Sequence, residues 1–288
     1  MGSRLSRSAL VCATGSRREP RPTRRSGPRP LAAPWPEDCL PRDGEELSFL
    51  TGDFRILQLQ RGHRWSLDDL LTAWWAVAPL PPTASLRHLD MGCGIGSVLM
   101  SVAWALPESR STGIEAQAIS YGLLQRSLRL NALTERVTTH HGDLRETQLR
   151  ERFDLITGTP PYFDIADGTV SDVAQRGPCR FETRGGIETY CEAAARHLAP
   201  GGRFVVCETA LELQRVYDAA AAANLAVRAQ LDIIPRAGKP PLIRLFEMVR
   251  GDEATGEPPT CATLTVRDEA LRWTAAFTAV RARMGMPV

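Results

Sequence analysis

Leu86 to Ser97 reads LRHLDMGCGIGS, and two structural signals meet in it. Its first half is a short apolar run of strand type that ends on Asp90 and Met91. Glycines follow at 92, 94 and 96, and from Ser97 the run SVLMSVAWAL has the length and apolar content of a helix. A strand that turns through glycines into a helix lets the backbone pass close beneath a ligand. The string G-x-G-x-G is weak evidence alone, since a tight structural turn uses it too. The dinucleotide fingerprint G-x-G-x-x-G is not met: Ser97 stands where its third glycine belongs, and Gly96 comes one residue early.

The same alternation continues in both directions. Upstream, LSFLTGDFRILQLQRG suggests a hairpin, and SLDDLLTAWWAV opens on a capping Ser66 and runs as a helix until PLPP stops it. Downstream, STGIEA, RVTTHHGD, FDLITGT and GRFVVCE read as strands. AISYGLLQRSLRLNAL, IETYCEAAARHL and LELQRVYDAAAAANL read as helices. AVRAQLDIIP and PLIRLFEMVR are two last strands with no helix between them, so one of them is expected to be antiparallel. The expected fold is α/β, a doubly wound, Rossmann-like sheet of seven mostly parallel strands with an antiparallel last strand.

Composition sets the outer limits. The chain has 288 residues, 43% hydrophobic and 24% charged, with no apolar run of membrane-spanning length. Seven scattered cysteines include no CxxC pair and no nearby histidine at ligand spacing, which favours reduced thiols and no metal. The charge is uneven: residues 1–36 carry eight Arg and one acid, about +7, while the chain as a whole is +2. The remainder, near −5, offers no overall basic field for nucleic acid. Residues 1–45 are expected to be a disordered Arg/Pro-rich segment and 46–288 a single domain. A cytoplasmic protein is expected, with organellar import as the alternative if the Arg/Ser-rich leader is a transit peptide.

In doubly wound sheets, ligands sit at the carboxyl ends of the strands, where strand order reverses. Acids terminate three successive strands here: Asp90, Glu115 about twenty residues past the glycines, and Asp143 in HGD. An acid in the second place accepts ribose hydroxyls, and one in the third can take an adenine amino group. An adenosine-bearing ligand is favoured. The fourth strand runs into TPPYF, residues 159–163. Pro160 and Pro161 remove two backbone donors and leave local carbonyls free to accept, which suits a planar NH₂ group. Tyr162 offers a face for a flat substrate, with Phe163 flanking it. The alternative is a rigid turn with two core aromatics.

LDMGCGIG, GIEA, GDL and the Pro-Pro-Tyr turn together resemble the class I S-adenosylmethionine-dependent methyltransferases of the amino-methylating group. The resemblance implies S-adenosyl-L-methionine as cofactor, with Asp90, Gly92, Gly94 and Gly96 backing the methionine moiety. It also implies Glu115 on the ribose, Asp143 with Leu144 at the adenine, and Thr159, Pro160, Pro161 and Tyr162 as the catalytic turn. Thr159 departs from the usual Asn, Asp or Ser, and leaves cytosine N4, adenine N6, a glutamine amide, or a weakened or silent enzyme open. HRWSLDDLLTAWW, SDVAQRGPCRFET and LTVRDEALRWTAAFTAVRARM narrow the likeness to bacterial-type tRNA adenine-N6 methyltransferases. That likeness implies tRNA as partner, a helix over the cofactor from Ser66 to Leu71, and a substrate loop with Arg176 and Arg180. The closing segment sets Arg267 and Arg272 beside Trp273, an edge compatible with a stacked nucleotide or with core packing. A release-factor glutamine methyltransferase, a nicotinamide dehydrogenase and a non-catalytic RNA-binding module are the rival readings.

Overall fold

The computed structural model describes residues 35–162 and 184–288. A hairpin, β1 (Glu45–Thr51) and β2 (Phe54–Leu59), precedes helix α1 (Leu67–Val77). Strands and helices then alternate: β3 (Arg87–Met91), α2 (Ser97–Ala105), β4 (Arg110–Glu115), α3 (Ala118–Leu130), β5 (Val137–His141), β6 (Phe153–Gly158), α4 (Ile187–His197), β7 (Leu198–Thr209), α5 (Leu213–Ala222) and β8 (Leu225–Ile234). They are followed by β9 (Ile243–Arg250), β10 (Thr260–Thr265) and α6 (Ala275–Arg283).

The main sheet has the order β10-β8-β9-β7-β6-β3-β4-β5, and β9 alone runs antiparallel to its neighbours. The chain moves outward from β3 through β4 to β5 and then returns to place β6 on the other side of β3. The carboxyl ends of β3, β4 and β6 therefore flank the point of reversal. Seven of the eight strands are those expected, and the seventh, β9, is the antiparallel one. The eighth, β10, corrects the expectation that β9 is the last strand. Of TCATLT only Leu264 is buried, so that segment carries no hydrophobic run to announce a strand.

Side chains alternate between two apolar layers with the period of a strand. Val205 and Cys207 of β7 join the layer under α1, α2, α3, α6 and the hairpin, whereas Phe204 and Val206 join that under α4 and α5. Helix α1 begins where Ser66 predicts, and the Asp69 carboxylate accepts the Ser66 N–H at 2.9 Å.

The stretch just before β1 packs against the rest of the fold. Cys39 is fully buried, and Glu45 opens β1. Arg126 of α3 holds this stretch, pairing with Glu45 at 2.7 Å and donating to the carbonyls of Asp38 and Leu40. That contact spans more than 80 residues, so composition could not reveal it. Residues 1–34 lie outside the described residues. No helix among the described residues is long and apolar enough to cross a membrane.

Candidate active site

A cavity of about 410 Å³ opens at the carboxyl ends of β3, β4, β5 and β6. Gly92, Gly94, Glu115, Asp143, Leu144, Thr159, Pro160, Pro161 and Tyr162 all line it. Residues predicted from segments up to 70 positions apart thus share one space of ligand size. Two do not line it: Asp90 is buried beneath, and Gly96 caps α2 with a left-handed φ of 94°. Phe163, Arg176 and Arg180 lie outside the described residues.

The three glycines have different reasons to be glycine. A Cβ on Gly92 would stand 2.1 Å from Tyr190 Oη, and one on Gly96 would stand 2.5 Å from Leu124. Those two make room for protein. A Cβ on Gly94 (φ +57°) would meet no protein atom within 4 Å, although Gly94 lines the cavity. Gly94 therefore leaves room for a ligand. Its N–H donates to Glu115 at 2.9 Å, and Gln117 N–H donates to the other Glu115 oxygen at 2.6 Å. Each carboxylate oxygen keeps acceptor capacity for a neighbouring hydroxyl. Burial raises the Glu115 carboxyl above its ordinary range, against those backbone donors.

Asp90 ends a buried polar chain that crosses three strands. Thr157 of β6 donates its hydroxyl to Asp90 Oδ1 at 2.7 Å. His88 Nε2 lies 2.8 Å from the same hydroxyl oxygen, and Nδ1 lies 3.2 Å from Ser111 Oγ on β4. The Thr157 proton is engaged with Asp90, so Nε2–H is the donor and Nδ1 accepts from Ser111. Burial pushes His88 down to about 3, so the ring is neutral at physiological pH. Burial pushes Asp90 up to about 7, against hydrogen bonds from the Thr157 hydroxyl and the Leu99 backbone.

Helix α1 brings further acids. Asp68 and Asp69 both line the cavity, and burial together with Asp68 and Asp90 raises the Asp69 carboxyl well above its usual range. The Tyr162 hydroxyl donates to Asp68 Oδ2 at 3.1 Å, with Cys207 Sγ also at 3.1 Å. Burial, with Cys207 and Asp68 beside it, raises the phenol above its ordinary value, so it stays a donor. The turn after β6 is thereby tied to the helix over the cavity. Tyr190 of α4 packs from below, its ring filling the place of a side chain at Gly158 as well as at Gly92.

Five carboxyls (Asp68, Asp69, Asp90, Glu115 and Asp143) line or underlie the cavity, against His63, Arg64 and Arg184 on its walls. Asp143 is engaged by the Arg145 guanidinium at 2.7 and 2.9 Å, which lowers its carboxyl. The balance favours a ligand that brings positive charge as well as hydroxyls. Ser66, Asp68 and Asp69 at the start of α1 line the cavity, but Asp68 and Asp69 carry no distinguishing sequence signal: acids in a first turn ordinarily stabilise the helix itself. Tyr190 and the His88–Thr157 pair were likewise indistinguishable from core residues. Among the described residues no cluster could hold a metal ion.

The profile of the methyltransferase small domain family matches residues 76–223. A protein of Yersinia pseudotuberculosis named tRNA1(Val) (adenine(37)-N6)-methyltransferase is 28% identical over 177 residues, 59% of this chain and 66% of its own. One of the same name from Porphyromonas gingivalis is 25% identical over 218 residues, 74% and 85% of the two chains. The crystal structure of a predicted O-methyltransferase from Agrobacterium tumefaciens superposes with a TM-score of 0.58 at 18% identity, covering 77% of this chain and 98% of that one. The structural likeness extends to the fold alone.

Proposed function

The chain belongs to the methyltransferase small domain family, and from that premise we propose that it methylates the exocyclic amino nitrogen of adenine in a tRNA, in the cytoplasm. One observation carries the reading: the Thr159–Tyr162 turn shares a cavity with the glycine turn and with Glu115. S-adenosylmethionine, when bound, supplies an electrophilic methyl group on a positively charged sulfur. The cavity fits that donor, with open space over Gly94 and excess carboxyls for its cationic groups. Glu115 would take the ribose hydroxyls, while Asp143 and Leu144 would border the adenine.

The chain's own contribution to the reaction is positioning. Carbonyls freed by Pro160 and Pro161, together with the Thr159 hydroxyl, would accept the amino hydrogens and turn the nitrogen lone pair toward the methyl. The Tyr162 ring would stack on the base, held at its hydroxyl by Asp68. No side-chain base is needed before attack, because the neutral amine is the nucleophile and its proton can leave afterwards to water.

The adenine and tRNA assignments rest on the names of relatives that are 25–28% identical over part of their length. The test is methyl transfer from tritiated S-adenosylmethionine to bulk tRNA, DNA or a release factor, with the RNA digested and its nucleosides resolved by mass spectrometry. Label in N6-methyladenosine of tRNA is expected. Label in release factor alone, in cytosine N4, or in nothing despite donor binding would overturn the proposal. Thr159→Asn should raise the rate on adenine if the hydroxyl is the weaker acceptor.

A further inference from the structure

Away from the cavity, the carboxyl edge of the sheet carries a cationic cluster. β10 is parallel to β8, and both β8 and β7 are antiparallel to β9. The end of β10 therefore emerges on the same edge as the ends of β6 and β3. There Arg267 and Trp273 form an isolated antiparallel bridge. The Arg281 guanidinium carbon lies 3.6 Å from the centroid of the Trp273 ring, and that of Arg267 lies 5.8 Å away.

Neither guanidinium has a carboxylate partner among the described residues; Arg267 donates to the Leu271 carbonyl and Arg281 to that of Pro287. Burial and the like charge of Arg267 hold Arg281 below its ordinary range. Two cations sharing one indole with no anion between them concentrate positive charge on this surface. The loop after β8 adds Arg236 and Lys239, both exposed, and is joined to this turn where the Ala237 N–H donates to the Arg267 carbonyl at 2.8 Å. Arg272 is balanced by Asp268 at 3.1 Å, and Glu269 is the other acid of the turn.

We propose that the Arg267–Trp273–Arg281 cluster is a remote RNA contact that clamps a backbone phosphate of the substrate while its target base occupies the cavity. The inference rests on the proposed function and adds to it. Guanidinium pairs suit a phosphodiester, because each presents a planar fork of donors, and stacking on an indole fixes their orientation in advance. Four strand intervals separate β6 from β10, about 19 Å at the usual spacing. Five or six stacked nucleotides span that distance, at ~3.4 Å each. The folded region lacks a general basic field, so a local clamp is what could hold RNA in register along this edge.

The test uses the full chain and end-labelled bulk tRNA, with dissociation constants measured across a potassium chloride series. Arg267→Gln/Arg281→Gln should weaken binding about tenfold and reduce the slope of log affinity against log salt by about 0.7–0.9, the share of one phosphate. Its affinity for S-adenosylhomocysteine should equal that of the wild type. Arg87→Gln/Arg110→Gln, which removes the same charge from the opposite edge, should leave tRNA binding unchanged. A wild type that binds tRNA and a double variant that matches it in affinity and slope refute the clamp alone. Equal weakening by the control pair refutes it too, since net charge would then suffice. So does a cluster variant that changes self-association and not tRNA affinity, which would give the face to a second copy of the chain. A wild type that binds no tRNA refutes the proposed function along with the clamp.

Discussion

Adding one methyl group at position 94 or at position 92 should have opposite consequences. Both glycines have positive φ, +57° and +61°, so alanine carries a left-handed penalty of about 1 kcal/mol at either site. At Gly94 that is the whole cost to the fold, because the new Cβ meets no protein atom within 4 Å. A melting temperature lower by about 2–4 °C is expected for a chain of this size. The methyl would instead occupy cavity space, and affinity for S-adenosylhomocysteine should fall at least tenfold, about 1.4 kcal/mol. At Gly92 the new Cβ would lie 2.1 Å from Tyr190 Oη. Overpacking adds roughly 1–3 kcal/mol to the same backbone penalty. Tyr190→Phe in the Gly92→Ala background should restore part of that loss, since the nearest ring carbon would then stand at 3.2 Å. Scanning fluorimetry without ligand gives the stabilities, and titration calorimetry gives the affinities. If Gly94→Ala binds the ligand as tightly as the wild type, the cofactor does not lie over that glycine, and the assignment of the turn is wrong.

Tyr162→Phe should keep donor affinity within twofold and lower turnover about tenfold, the worth of one hydrogen bond to a carboxylate; a rate equal to wild type would show that the tie to Asp68 is dispensable. Asp90 is held up to about 7 in the fold against 3.8 ordinarily, so the folded state keeps its proton where the unfolded state has lost it. Its effect on stability is therefore adverse as pH rises from about 4 and complete above about 7, on the order of 4 kcal/mol. Ligand-free Asp90→Asn should accordingly lose part of the fall in melting temperature between pH 5 and 8, and an unchanged slope would refute the assignment. Arg126→Met should destabilise by about 3 kcal/mol by stranding Glu45, and Glu45→Gln added to it should recover part of the loss in urea unfolding.

The fold was legible because a parallel sheet covered on both faces writes its strands as apolar runs and its helices between them. LRHLDMG and FDLITGT could hardly be read otherwise. β10 escaped because an edge strand with one buried residue has no such run. In the site, the residues legible from sequence are those whose type follows from strand termination: the acids, the glycines and the prolines. Asp68, Tyr190 and His88 were hidden because their partners are 94, 98 and 69 positions away (Tyr162, Gly92 and Thr157). Gly92 and Gly96 show the opposite limit. Sequence placed them in the turn but could not say that they serve packing while Gly94 borders open cavity space.

The chain of hydrogen bonds from Ser111 through His88 and Thr157 to Asp90 also bears on how the sheet assembles. In the native alignment Asp90 lies opposite Thr157, and His88 opposite Ser111. A slip of two residues between β3 and β6 that set Asp90 opposite Leu155 would keep the apolar faces inward yet leave a buried carboxyl facing an aliphatic neighbour. Hydrophobic patterning tolerates that error, and the polar chain does not. The Thr157–Asp90 pair would therefore weigh against collapsed states in which β6 has docked out of step with β3 in that direction.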